Sequence, residues 1–307
     1  MQKGSEEQKF SAPDAVGFAT ISTQVVEDRQ PQKLLLGDCT ELLTGIAGDS
    51  IDLTITSPPY DNLRAYNDNQ QWCEGVWQSA IESLFRVTKK GGVVVWVVGD
   101  ATINGSETGT SFKQALWAMK CGFNLHDTMI YQKDNPPPVG GKNRYYQHYE
   151  FMFVFSKGTP KTFNPITGVR RNKWEDKRTS RYKAFTRNKD GDFTKTLVSL
   201  VGDVKIGNIW RYVVGGGSSV DFGNSHPAQF PEKLVTDHIL SWSNEGDTIL
   251  DPFMGSGTTG KVAKALGRNF TGIELDPEYF KIAGQRIGIQ DEIVAKPRHR
   301  VRLAITE

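Results

Sequence analysis

The chain has 307 residues, of which 37% are hydrophobic and 23% charged, and its net charge is +2. That is the composition of an ordinary globular protein with room for one large α/β domain carrying an insertion, or for two small domains. It excludes a polycation, so any nucleic-acid face must come from local clustering of charge.

The three cysteines, Cys39, Cys73 and Cys121, form no CxxC pair. This argues against a zinc site or a disulfide framework, fits a reducing cytoplasm, and leaves no metal to be expected. The opening MQKGSEEQKFSAPD is polar and lacks an apolar core, so no signal peptide is expected. No apolar run approaches the roughly 18 residues of a membrane span, so no membrane partner is expected.

In chain order, residues 1–32 read as a polar arm. KLLLGDC predicts a strand, TELLTGIA a short helix and SIDLTIT a second strand. QQWCEGVWQSAIESLFRVTKKGG has apolar residues at helical spacing, with Gly91-Gly92 as the expected stop. GVVVWVVGD is a continuous apolar run, as in a parallel strand buried on both faces. TSFKQALWAMKCGF predicts a helix, then NLHDTMIYQK and HYEFMFVFSKG predict strands. Strands alternating with helices predict a parallel, doubly wound sheet.

The character changes at Lys157. Residues 157–189 hold eleven Lys/Arg against Glu175 and Asp176, interleaved with aromatic residues. The α/β pattern then returns: a helix in FPEKLVTDHILSWS, a strand in DTILD, a glycine-rich turn, a helix in TTGKVAKALG, a strand in NFTGIELD and a helix in PEYFKIAGQRIG. The basic stretch therefore reads as an insertion between two parts of one sheet.

TILDPFMGSGTTGKVAKALGRNFTGIELD is the most informative stretch. A strand ends at Asp251, and Gly255, Gly257 and Gly260 lead into a helix whose first N–H groups can receive an anion. The next strand ends at Glu274, 23 residues after Asp251. An acidic side chain roughly 20 residues on is placed to bind ribose hydroxyls. A structural turn would explain a lone GxG; the register with Glu274 favours a ligand. The spacing is neither GxGxxG nor GxxxxGK[ST], which disfavours a dinucleotide and a nucleotide P-loop.

DPFMGSGTT resembles the S-adenosylmethionine motif of DNA amino-methyltransferases, and Thr56–Tyr60, TSPPY, resembles their (D/N/S)PPY catalytic motif. The catalytic motif comes first and the cofactor motif follows the basic insertion, an order similar to the circularly permuted β class. GDC at 37–39, HYEFMFVFSKG and HPAQFPEKLV add further matches, so the likeness spans most of 34–287.

The resemblance implies an α/β, doubly wound, Rossmann-like methyltransferase sheet, circularly permuted. Its catalytic domain comes in two parts, 33–156 and 213–290, around an inserted target-recognition region at 157–212. An N-terminal arm covers 1–32 and a C-terminal tail 291–307. It implies that Asp251, Phe253, Gly255 and Gly257 shape a pocket for the methionine half of S-adenosylmethionine. Thr258 contacts its carboxylate, Glu274 holds the ribose hydroxyls and His226 borders the cofactor. Asp38 accepts a hydrogen bond from the adenine, or caps the helix before TELL; the two roles are compatible.

The chemistry at Ser57, Pro58, Pro59 and Tyr60 can be argued from the residues. An exocyclic amino nitrogen is a poor nucleophile because its lone pair is delocalised into the base. Its N–H groups can be drawn toward acceptors, here the Ser57 hydroxyl and the Pro58 carbonyl, which proline holds in place. Tyr60 offers a stacking face to a base taken out of its helix, returning roughly 1–3 kcal/mol of the extrusion cost. No cysteine follows the prolines, which disfavours C5-cytosine chemistry. The bland alternative is that Pro-Pro merely ends a strand. In the resembling family Ser before Pro-Pro leans to cytosine N4. Adenine N6 is the commoner bacterial product and takes a slight lean overall.

Double-stranded DNA is the expected partner. Arg170, Arg171, Lys173, Arg178, Arg181, Lys183 and Arg187 in the basic insertion are candidate contacts, with Arg144 in the loop KDNPPPVGGKNRYYQ. A solvated basic surface is the alternative for the cluster. The resemblance allows a homodimer, and a cognate restriction endonuclease on a separate chain. Two rival functions stay open: methylation of RNA or of a protein amide, disfavoured by the basic insertion and the permuted order, and a non-catalytic DNA-binding regulator, disfavoured by intact Ser57, Tyr60 and Glu274.

Overall fold

Val93, Val95 and Val97 pack into one hydrophobic core, and Val94, Trp96 and Val98 into another. This period-2 split of a continuous apolar run is what a strand covered on both faces requires. A computed structural model describes residues 32–59, 72–136, 143–168, 181–199, 204–213 and 231–289.

The first part of the chain gives β1 (Gln32–Leu36), α1 (Cys39–Leu42), β2 (Ile51–Thr56), α2 (Glu74–Val87) and β3 (Thr88–Val98). A small hairpin of β4 (Thr102–Ile103) and β5 (Ser106–Glu107) precedes α3 (Thr110–Cys121), β6 (Asn124–Lys133) and β7 (Tyr149–Ser156). The middle gives β8 (Thr167–Gly168), β9 (Arg181–Arg187), β10 (Phe193–Ser199), β11 (Val204–Lys205) and β12 (Ile209–Tyr212). The last part gives α4 (Glu232–Trp242), β13 (Thr248–Asp251), α5 (Thr258–Ala265), β14 (Asn269–Glu274) and α6 (Pro277–Ile287).

Among the described residues, eight strands form one sheet in the order β1-β14-β13-β2-β3-β7-β6-β12. The helix α2 buries Trp77, Ala80, Ile81, Leu84 and Val87, a stripe at helical spacing, against the face carrying Trp96. On the opposite face, Leu234, Val235 and Ile239 of α4, Val262 of α5, and Phe280 and Ala283 of α6 close the other core. Burying each large side chain contributes about 1.5–3 kcal/mol.

Two expectations are corrected. The sheet is mixed rather than parallel throughout, because β7 runs antiparallel to both β3 and β6. A parallel neighbour needs a crossover, usually helical. No helix separates β6 from β7 among the described residues, so the chain turns back beside β6. Secondly, α2 stops at Val87, not at Gly91-Gly92. The Thr88 hydroxyl donates to Leu84 O at 2.6 Å, and Thr88 already pairs with Ile51. The register then shifts, so that Leu53 meets Val93. Gly92 lies in this bulge, where a Cβ would sit 2.9 Å from Lys89 O and 3.0 Å from Asp52 O.

The basic insertion contains an antiparallel hairpin, β9 with β10, turning at Asn188–Asp192. Its end returns to the main sheet, where β12 lies parallel to β6.

Candidate active site

The strands β2 and β13 lie side by side and parallel, Leu53 against Ile249 and Thr54 against Leu250. From β13 the chain passes through α5 to β14 on one side; from β2 it passes through α2 to β3 on the other. The strand order reverses between them, and such a switch point opens a crevice beyond the carboxyl ends of the strands. Ser57-Pro58-Pro59 and Asp251 stand at these two ends.

Asp251 is 1% exposed. It accepts hydrogen bonds from Thr56 Oγ1 and Thr259 Oγ1, both at 2.7 Å, and from Phe253 N at 3.1 Å. Burial pushes its carboxyl up to about 6, against the pull of those three donors. Asp251 thus ties the ends of β2 and β13 to the first turn of α5.

Glu274 ends β14. Its Oε2 accepts from Gly255 N at 2.8 Å and its Oε1 from Asp276 N at 2.9 Å. Burial pushes this carboxyl up to about 7, opposed by the backbone donors. Its main-chain carbonyl accepts from Gly37 N at 2.8 Å, which brings the β1 turn and Asp38 alongside. Asp38 Oδ1 accepts from Thr40 N at 2.8 Å and Thr40 Oγ1 at 2.7 Å, the capping role.

Gly255 (φ +52°) and Gly257 (φ +81°) both take left-handed backbone, and a Cβ on Gly257 would lie 2.8 Å from Ala283 Cβ. Thr258 opens α5, whose start has no side-chain cap. Phe253 is half-buried and meets Trp72 edge-on at 5.5 Å and Trp96 at 6.2 Å. A carboxylate beside a backbone-lined turn, with aromatic rings next to it, suits the donor set of an adenosyl sulfonium ligand: hydroxyls for Glu274, a cation for the rings. Among the described residues no group of three or more His, Cys, Asp and Glu could hold a metal.

Past the end of β3, the β4–β5 hairpin and residues 143–149 border a hollow of about 770 Å³. Arg144 donates to Gly105 O and lies 3.4 Å from Glu107 Oε1. Tyr145, Tyr146 and Tyr149 are exposed there.

Residues 51–285 match the family model described as DNA methylase, of the N6/N4 methyltransferases. The chain belongs to this DNA methylase family. The methylase is 50% identical over 258 residues to the orphan methyltransferase M.BamHII of Bacillus amyloliquefaciens, covering 82% of this chain and 90% of the relative. It is 28% identical to the type II methyltransferase M.HinfI of Haemophilus influenzae, over 83% of this chain and 67% of that one. Solved structures with the same fold include a complex of M1.HpyAVI with S-adenosylmethionine (TM-score 0.56, 23% identity, 84% of this chain and 99% of that one). Another is the PvuII DNA methyltransferase, titled cytosine-N4-specific (TM-score 0.60, 20% identity, 84% and 89%).

Of the residues singled out in the methylase sequence, Ser57, Pro58, Asp251, Phe253, Gly255, Gly257, Thr258, Glu274 and Asp38 come to the carboxyl edge of the sheet. Tyr60, His226, Arg170, Arg171, Lys173 and Arg178 lie outside the described residues. Arg181 and Lys183 are on β9, and Arg187, exposed at its end, donates to Gly191 O. Sequence reasoning missed Thr56, Thr259 and Arg286. The first two lie inside quoted motifs, but nothing local marks them as partners of Asp251. Among the described residues no helix is long and apolar enough to cross a membrane.

Proposed function

We propose that this methylase transfers a methyl group to an exocyclic amino nitrogen of a base extruded from duplex DNA at a specific sequence. The observation that carries the reading is the meeting of Ser57-Pro58-Pro59 with the Asp251 turn at adjacent strand ends, tied by the Thr56–Asp251 hydrogen bond.

S-adenosylmethionine supplies an electrophilic methyl on a sulfonium. Glu274 accepts from its ribose hydroxyls, the turn at 255–258 receives its carboxylate and Phe253 borders it. Asp38, already the α1 cap, accepts from the adenine amino group, and His226 borders the cofactor. The Ser57 hydroxyl and Pro58 carbonyl accept from the target amino group, orienting its lone pair, and Tyr60 stacks on the base. The contribution of these residues is positioning; none forms a covalent intermediate. Arg144, Arg170, Arg171, Lys173, Arg178, Arg181, Lys183 and Arg187 contact the duplex.

Two target atoms suit this site. The abundance of the product tilts toward adenine N6, but no residue of the chain carries that tilt. Either amino group needs only an acceptor, but in the resembling family Ser ahead of Pro-Pro, here Ser57 before Pro58-Pro59, leans to cytosine N4. Cytosine N4 is therefore put first, and adenine N6 is the second reading.

Mass spectrometry of nucleosides from unmodified DNA treated with the protein and labelled S-adenosylmethionine tests both. N4-methylcytosine supports the first reading and N6-methyladenine the second. Label in neither base, with DNA binding intact, would sink both and leave a DNA-binding regulator.

A further inference from the structure

Arg286 of α6 has a side chain only 10% exposed, and it faces the back of the glycine-rich turn. Its Nη1 lies 2.7 Å from Ser256 O, 2.9 Å from Ser256 Oγ and 3.2 Å from Thr258 Oγ1. Its Nη2 lies 3.5 Å from Glu232 Oε1. The same carboxylate oxygen takes Lys261 Nζ at 2.8 Å. One guanidinium thus joins three segments: α6, which carries it; the turn and first residue of α5; and the first residue of α4.

We infer that Arg286 is a positioning residue for cofactor binding, held in place by Glu232. It fixes the 256–258 backbone so that the head of α5 can receive the carboxylate end of S-adenosylmethionine. The inference rests on reading the 251–258 turn as the cofactor site.

The turn needs such a partner. Ser256 stands between two glycines in left-handed backbone, Gly255 and Gly257. Glycine has the most conformational freedom to lose on ordering, so a turn built on it is poorly determined by its own chain. The helix that follows has no side-chain cap to fix its entry. From the front, Gly255 N is held by Glu274; from behind, Ser256 and Thr258 are held by Arg286. A guanidinium is planar and always charged, and its two terminal nitrogens form a rigid fork: the two N–H groups of Nη1 are shared among the Ser256 carbonyl and the Ser256 and Thr258 hydroxyls, while Nη2 faces Glu232, so one side chain spans the turn and the start of α4. A lysine offers one compact centre. The positive charge also adds to the field at the head of α5, where an anion is favoured.

The test uses the full chain with Arg286→Met, Arg286→Lys and Glu232→Gln. KM for S-adenosylmethionine, KM for DNA and kcat are measured, with dissociation constants for S-adenosylhomocysteine and for 5′-methylthioadenosine. The latter has the adenosyl part but no amino-carboxyl end.

Arg286→Met is expected to raise KM for S-adenosylmethionine and the S-adenosylhomocysteine Kd by about ten- to a hundredfold, the range that slight misplacement of a binding group produces. Arg286→Lys and Glu232→Gln should fall between it and the wild type. The methylthioadenosine Kd, DNA KM and kcat should stay within about twofold. If Arg286→Met does not fold, the other two variants carry the same comparison.

Unchanged S-adenosylhomocysteine affinity in folded variants would overturn the inference, and so would an equal loss for methylthioadenosine, since either would make Arg286 a general bolt between helices. Failure of the wild type to bind S-adenosylhomocysteine would instead overturn the cofactor reading of the turn.

Discussion

Thr56, the last residue of β2, donates its hydroxyl to Asp251, the last residue of β13, across 2.7 Å of buried interior. Residues 195 positions apart thereby hold the proposed catalytic motif and the proposed cofactor motif in one register. Thr56→Val keeps the shape and removes the donor. It should destabilise the protein by about 1–3 kcal/mol, the cost of leaving a buried acceptor short of a partner. It should also push the Asp251 carboxyl further above about 6, because a hydrogen bond to its charged form is lost. Urea unfolding should therefore show a larger loss at pH 8 than at pH 5. An equal loss at both would mean that the bond does not favour ionised Asp251.

The Glu274 carboxyl, raised to about 7 by burial, must be ionised to accept two hydroxyl hydrogen bonds fully. Affinity for S-adenosylmethionine should fall as pH drops through about 7. Glu274→Gln should weaken binding by about ten- to a hundredfold, the equivalent of charged hydrogen bonds, and remove most of that pH dependence. Calorimetric titration between pH 5.5 and 8.5 checks both. In the ligand-free protein the sign is opposite. A raised carboxyl binds its proton more tightly when folded, so the stability it lends is full below the unfolded value and is lost as pH rises through about 7.

His238 is fully buried beside Met152 and Trp210, and burial lowers its imidazole to about 3. A depressed base is stable as the neutral form. Its contribution is present above the unfolded pKa and lost as pH falls from about 6.5 toward 3. His238→Leu should leave stability at pH 7 within about 1.5 kcal/mol, as a near volume-conserving core change. It should also flatten the acid limb of a denaturation midpoint plotted against pH. An acid limb as steep as the wild type's would show that other groups set it.

Arg144 rests on Glu107 and Gly105 beside the exposed tyrosines. As a phosphate contact it must leave Glu107, which gives the pair opposite effects. Arg144→Ala should weaken DNA binding and reduce the salt dependence of log affinity by about one unit of slope. Glu107→Gln should tighten binding, since the arginine is no longer held by a carboxylate. Fluorescence anisotropy across salt concentrations measures both; parallel salt slopes would place Arg144 outside the DNA interface.

Much of the fold was legible. Runs such as GVVVWVV and the stripe Trp77–Ile81–Leu84 carry their period in neighbouring residues, so strands and helices could be read locally. The stop of α2 was not. Gly91-Gly92 looks like a helix end, but Thr88 already pairs with Ile51, and a sheet partner 37 residues away outweighed the local signal. The reversal of β7 was equally hidden, since an apolar strand has the same composition in either direction.

The sequence by itself determined the proposed chemistry: serine, two prolines and tyrosine at one strand end, and glycines with a later glutamate at another. Residue type and short spacing are local properties, and they carried the family resemblance as well. Only the tertiary structure decided that these two ends are neighbours, that Thr56 and Thr259 share Asp251, and that Arg286 holds the glycine turn from behind. Those relationships depend on strand order and helix packing. A hydrogen bond between residues many positions apart has no periodicity and no motif; it exists only once the sheet has brought its ends together.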